Sequence, residues 1–203
     1  MSTLDPFYLI VDDADLLERL VPLGVRLVQL RIKDRPEDDL RRQIARAKAC
    51  CATHGAQLVV NDYWRLAIEL DCDFVHLGQE DMDSADFAAL RRAGIRFGLS
   101  THDEAERARA LDAGPAYIAL GPVYPTRLKK MKWGPQGLDR VQEWKRHAGP
   151  VPLVGIGGLV PDRLPGLFAA GADSAAVVTD IASATDPEAR CLEWLQATRA
   201  FCR

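Results

Sequence analysis

The sequence predicts a (β/α)8 barrel, on three observations. Eight short β-rich runs alternate with helical patterns along 203 residues. Several of the runs are continuously apolar, as parallel strands covered on both faces must be. Short polar or glycine clusters stand at the ends of the second to eighth runs, so their groups gather at one mouth.

The strands are predicted at residues 7–11, 27–31, 57–60, 74–77, 96–99, 117–120, 152–155 and 174–178. Between them the helical patterns cover 13–21, 36–54, 63–70, 84–93, 101–113, 138–146, 163–170 and 187–201. Three helices end at Ala93-Gly94, Ala113-Gly114 and Ala170-Gly171, where a glycine takes the left-handed turn that stops a helix. Thr101 and Glu104 have the spacing of a capping box, which predicts a structural role for the threonine. The longest irregular stretch, 121–137, carries Arg127, Lys129, Lys130 and Lys132 and reads as a functional lid. An open doubly wound sheet is the alternative fold, but no glycine-rich fingerprint follows the first strand. No linker or shift in composition divides the chain, so residues 1–203 are expected to form a single domain.

A hydrophobic content of 48% is enough for one substantial core, and the net charge of −3 is mixed along the chain. No basic block or aromatic–basic stripe points to nucleic acid or to an anionic membrane surface. No run is long enough to span a bilayer, and residues 1–6 lack a basic leader, so a cytoplasmic protein is expected. Five cysteines, an odd number with no zinc spacing, read as reduced and mostly buried thiols.

Gln29, Arg31 and Lys33 are spaced by two and share one face, while Val28, Leu30 and Ile32 face the helices. Arg31 offers a planar fork for phosphate oxygens and Lys33 a compact charge. An internal salt-bridge network with Asp62 or Glu80 is the alternative for these cations. Asp62, after Asn61, and Asp81 in GQED come from adjacent strand ends and suit Mg2+, a hard ion that completes its shell with water and phosphate oxygens. Asp62 also precedes a helix and suits a cap. Two later turns suit a monophosphate: Gly155 to Gly158 with bare N–H groups, and Val178-Thr179 with a hydroxyl at a helix start. No GxSxG, HExxH or CxxC motif occurs, and His76 reads as a core or supporting residue. Cations and a metal site without an evident base suit a reaction governed by leaving-group stabilisation.

The strings VQLRIKD, VNDYWRLAIELDCDFVHLGQEDMD, GLSTHDEAERA, YIALGPVYPT, GIGG and AVVTDI, in this order, resemble the thiamine-phosphate synthase family of TIM barrels nearly end to end. The resemblance implies condensation of 4-amino-5-hydroxymethyl-2-methylpyrimidine diphosphate with 4-methyl-5-(2-hydroxyethyl)thiazole phosphate, releasing diphosphate and thiamin phosphate. It implies Mg2+ on Asp62 and Asp81, and diphosphate held by Arg31, Lys33, Asn61, Ser100 and Lys129, with Gln29 near the pyrimidine. Of these, Arg31, Lys33, Ser100 and Lys129 are the expected catalytic residues. The thiazole phosphate is expected at Gly157, Val178 and Thr179 and at the loop that includes Thr126. That loop, PTxTK in the family, reads Pro125-Thr126-Arg127-Leu128-Lys129 here, so Leu128 lacks a hydroxyl and either Lys129 or Lys130 fills the lysine position. Two rival readings are a thiazole tautomerase of the same superfamily and a catalytically silent phosphate-binding sensor; retention of the diphosphate set argues for the synthase.

Overall fold

A computed structural model describes residues 4–126 and 133–202. Eight parallel strands close into a barrel in the order of the sequence. They are β1 (Phe7–Val11), β2 (Leu27–Leu30), β3 (Gln57–Asn61), β4 (Phe74–Leu77), β5 (Arg96–Thr101), β6 (Tyr117–Leu120), β7 (Leu153–Ile156) and β8 (Ser174–Val177). The open-sheet alternative is thereby excluded, because β1 pairs with both β2 and β8. At the β1–β8 seam the Ser174 hydroxyl donates to the Asp5 carbonyl at 2.7 Å.

The helices are α1 (Ala14–Leu20), α2 (Glu37–His54), α3 (Trp64–Glu69), α4 (Phe87–Arg92), α5 (Glu104–Asp112), α6 (Gly137–Ala148), α7 (Leu164–Ala169), α8 (Thr179–Ala182) and α9 (Pro187–Thr198). Gly94, Gly114 and Gly171 have φ of 71°, 70° and 100°, the positive-φ backbone expected after their helices. Two helices, α4 and α5, begin three residues later than expected. Asp86 caps α4 through the Ala89 N–H, and a 3-10 turn at Asp81–Asp83 occupies the ground before it. Asp103, not Thr101, caps α5, because its carboxylate takes the Glu106 N–H at 2.9 Å. Thr101 stays in β5 and is structural in another way. Its buried hydroxyl donates to the Ala119 carbonyl and accepts from Trp144 Nε1.

Strand alternation sorts the core into two shells. Outward residues such as Phe7, Leu9, Val28, Val75 and Leu120 pack beneath the helices. Inward residues, among them Tyr8, Ile10, Leu27, Val59, Phe74, Tyr117 and Val154, fill the barrel itself. Helix α9 latches the seam: Trp194 stacks on Phe7 at 5.7 Å and donates Nε1 to Asp180, which Arg190 also holds. Arg19 of α1 makes a paired bond to Glu188 of α9. Among the described residues no helix is long and apolar enough to cross a membrane. All five cysteines are unpaired; Cys51, Cys72 and Cys191 are buried, and burial pushes the Cys51 thiol up to about 12.

One inward position is empty by necessity. A Cβ on Gly98 would lie 2.1 Å from Tyr117 Cζ, so the tyrosine ring occupies the space a side chain would take. Gly98→Ala is therefore expected to cost about 1–3 kcal/mol of stability through overpacking. Urea unfolding of the ligand-free protein measures this, and an unchanged midpoint would contradict it.

Candidate active site

The predicted polar residues lie where the strands end. Gln29 is an inward residue of β2, and Arg31 and Lys33 continue from the strand's end. Asn61 closes β3, Ser100 lies near the end of β5, and Asp81 opens the turn after β4. Gly157 and Val178 follow β7 and β8 directly, and Thr179 begins α8. Thr126 ends the described part of the loop after β6. Lys129, Lys130, Leu128 and Arg127 lie outside the described residues.

The charged groups meet in a short series. Lys33 forms an ion pair with Asp62, so one of the two expectations for this lysine, an internal bridge, is realised without ligand. Glu80 takes no part in that pair. Asp62 does not cap α3; Tyr63 stands at the cap, with no side-chain bond. Instead Asp62 adopts φ 63°, a left-handed turn that aspartate tolerates, and its N–H donates to the His76 carbonyl at 2.9 Å. This turn brings its carboxylate to Lys33 and to Asp81. Burial, and then the Asp62 carboxylate beside it, hold the Asp81 carboxyl above its usual range, while the Gly78 N–H and Lys33 pull it back. The Gly78 N–H donates to Asp81 Oδ2 at 3.0 Å.

Behind these charges lies a buried polar file. The Gln29 Nε2 donates to the Tyr8 hydroxyl at 2.8 Å, and Tyr8 meets Tyr117, hydroxyl to hydroxyl, at 2.9 Å. The Tyr117 hydroxyl reaches His76 Nδ1 at 2.7 Å, and His76 Nε2 reaches Ser100 Oγ at 2.9 Å. Burial lowers the His76 pKa to about 4, and the nearby charges of Asp81 and Arg31 pull it in opposite directions, so the ring is neutral. Burial raises both phenols. Gln79 Nε2 fixes the Ser100 carbonyl at 2.6 Å. Asn61 is 4% exposed, and its Nδ2 has no partner among the described residues. An orphaned buried donor of this kind is costly unless a ligand meets it.

Tyr8, Tyr117 and Gln79 escaped the sequence reading. The tyrosines occupy inward strand positions, where an aromatic ring reads as core, and only their register with Gln29 and His76 signals more.

Across the mouth, Gly157 and Gly158 have φ of 98° and 64°. A Cβ on Gly157 would lie 2.6 Å from Pro122 Cα, and one on Gly158 would lie 2.5 Å from the Pro125 carbonyl. The glycines thus let the loops after β6 and β7 touch, and the Tyr124 N–H donates to the Gly157 carbonyl at 3.0 Å. Together the rim offers cations and one orphaned donor for an anion and paired carboxylates for a cation, with a neutral file behind them.

The Asp81 shift carries a sign. Because its folded pKa lies above the ordinary 3.8, the stability linked to this group is full below that value and is lost as pH rises through the folded pKa. Metal-free Asp81→Asn is therefore expected to melt above the parent at pH 7, with the gain fading toward pH 4. Scanning calorimetry in EDTA at both pH values checks this, and a lower melting point at pH 7 would refute it.

A family model described as thiamine monophosphate synthase matches residues 7–181. A thiamine-phosphate synthase of Rhizobium etli is 65% identical over 195 residues, covering 96% of each chain. One from Neisseria meningitidis serogroup A is 48% identical over 183 residues, covering 90% of this chain and 89% of its own. A thiamine phosphate pyrophosphorylase structure from Pyrococcus furiosus superposes with a TM-score of 0.86 at 22% identity, covering 98% of both chains, and supports the barrel fold. With the family model spanning most of the barrel and relatives this similar over nearly the whole length, the chain belongs to the thiamine monophosphate synthase family.

Proposed function

We propose that this transferase joins 4-amino-5-hydroxymethyl-2-methylpyrimidine diphosphate to 4-methyl-5-(2-hydroxyethyl)thiazole phosphate in a magnesium-dependent reaction. The products are thiamin phosphate and diphosphate. The relatives' names support the overall reaction, and one observation carries the site: Lys33, Asp62 and Asp81 meet at the rim beside the file that ends at Ser100. In this reading residues 1–203 act as one cytoplasmic domain on small molecules, with no nucleic acid or membrane partner. Unpaired, buried thiols support a reducing compartment.

The residues suit a hard divalent ion. Asp62 and Asp81 offer only oxygen ligands, and their mutual repulsion is what a cation between them relieves. Among the described residues no group of three or more His, Cys, Asp or Glu could hold a metal. Two carboxylates are nonetheless sufficient for Mg2+, which keeps water and phosphate oxygens as its other ligands. When bound there, Mg2+ supplies positive charge to the diphosphate oxygens.

The chain's own residues then act on the leaving group. The bond from the pyrimidine methylene to the diphosphate oxygen breaks, and its electron pair stays with diphosphate. Arg31, Lys33, Asn61, Ser100 and Lys129 would meet that growing charge, with Lys33 turning from Asp62 to phosphate oxygens. The amino-substituted ring stabilises the methylene cation, and Gln29 orients the ring. The thiazole nitrogen attacks with a free lone pair, so no general base is needed. Thr126, Gly157, Val178 and Thr179 hold the thiazole phosphate at the opposite rim. No observation favours the tautomerase or the silent sensor over this reading.

Incubating the chain with both substrates and Mg2+ is expected to yield thiamin phosphate. EDTA should abolish turnover and Asp81→Ala should greatly reduce it. Removing the Arg31 side chain with Arg31→Ala should lower the rate about a hundredfold, about 3 kcal/mol in the barrier. Isomerisation of a thiazole carboxylate phosphate alone would favour the tautomerase. Binding of thiazole phosphate without product would favour the sensor.

A further inference from the structure

The file Gln29–Tyr8–Tyr117–His76–Ser100 does more than fill the barrel. Four buried side chains in sequence are joined by bonds of 2.7–2.9 Å before the file reaches Ser100. Each hydroxyl in it has one proton to give and, among the described residues, no acceptor outside the file, so using every proton makes the direction of one bond set the others. The Gln29 amide nitrogen faces Tyr8 and donates to it. With every proton used inside the file, we infer that Tyr8 gives its proton to Tyr117, and Tyr117 gives its own to His76 Nδ1. A neutral imidazole that accepts at Nδ1 carries its proton on Nε2 and donates it to Ser100 Oγ. The serine proton is thereby released toward the mouth, and the Gln29 carbonyl is left as an acceptor.

The rings are held for this task. The His76 and Tyr117 rings stack at 5.6 Å with 11° between planes, and Tyr8 meets Tyr117 edge-on at 5.9 Å. Gly98 leaves the space in which the Tyr117 ring sits. The reverse direction would spend the serine proton on His76 and turn Ser100 lone pairs toward an anion. It would also turn the Gln29 amide nitrogen away from Tyr8.

We propose that Tyr8, Tyr117 and His76 are positioning residues whose one-way hydrogen-bond file orients two groups at the mouth, the Gln29 carbonyl to accept from a substrate amino group and the Ser100 hydroxyl to donate to a phosphate oxygen. The proposal rests on the reading above for what lies beyond Gln29 and Ser100, but the direction of the file belongs to the protein alone.

The tautomer of His76 reads that direction without turnover. In nitrogen-15 spectra of the ligand-free chain at pH 7.5, the His76 signals can be assigned by replacing the other three histidines, His54, His102 and His147, with Gln. An unprotonated Nδ1 with a protonated Nε2 is expected, and a protonated Nδ1 overturns the proposal whatever the enzyme does. Tyr117→Phe removes the donor to Nδ1 and should mix the tautomers, and an unmixed spectrum counts against the file. In turnover, Tyr117→Phe should lower kcat about tenfold in the parent but less than twofold in a Ser100→Ala background. Equal losses in both backgrounds would show a merely structural role. Tyr8→Phe gives a second break in the file. It should raise KM for the pyrimidine diphosphate and leave KM for the thiazole phosphate unchanged; a rise in both would overturn the assigned direction. The expected tautomer together with a parent chain that makes no thiamin phosphate would fault the functional reading and leave the file standing.

Discussion

Closure of a parallel sheet is the constraint on which everything else depends. Once β1 pairs with β8, all eight strands point the same way around one axis. Every strand then ends at the same rim, and alternate side chains have no choice but the barrel interior. That geometry carries Asn61 and Ser100 to one mouth although they come from different strands. The apolar alternates, such as Val28 and Val75, are sent by the same pleat beneath the helices. Fold and site are two faces of one alternation.

Within that frame the rim is electrostatically unsettled and the layer below it is settled. Asp62 and Asp81 stand together with one lysine bonded to one of them, and burial keeps Asp81 above its ordinary range. A second charge arriving between them relieves repulsion that the fold itself maintains. Below, the tyrosines and His76 are neutral and mutually bonded, so burying them costs little beyond ordering.

The barrel was legible because its signals are redundant. The first, fourth and sixth strands at Phe7–Val11, Phe74–Leu77 and Tyr117–Leu120 match the periodic runs residue for residue, and the left-handed glycines stand at their predicted stops. What escaped has a physical reason in each case. Helix α8 has four residues, too few to leave a periodic trace, so only its start at Thr179 was readable. Thr101 has capping-box spacing, but Asp103 two residues on caps the helix through the Glu106 N–H, and tertiary packing claims the threonine for Trp144. At the site, the spacing of Gln29, Arg31 and Lys33 and the acidic pair were readable, because a charged residue at a strand end stands out. The tyrosines were not, because a buried aromatic looks alike whether or not its hydroxyl has work to do. The loop contact of Gly157 and Gly158 was hidden too, since one chain segment does not reveal what presses on it.

The seam between β1 and β8 has an implication for synthesis. Asp5 waits for Ser174, Phe7 for Trp194 and Arg19 for Glu188, so the first strand made has one of its two neighbours supplied last. On a ribosome the nascent sheet remains an open ribbon with an exposed edge until β8 has emerged. Stalling between β7 and β8 would leave that edge available to other chains, and chaperone demand should be concentrated in that interval.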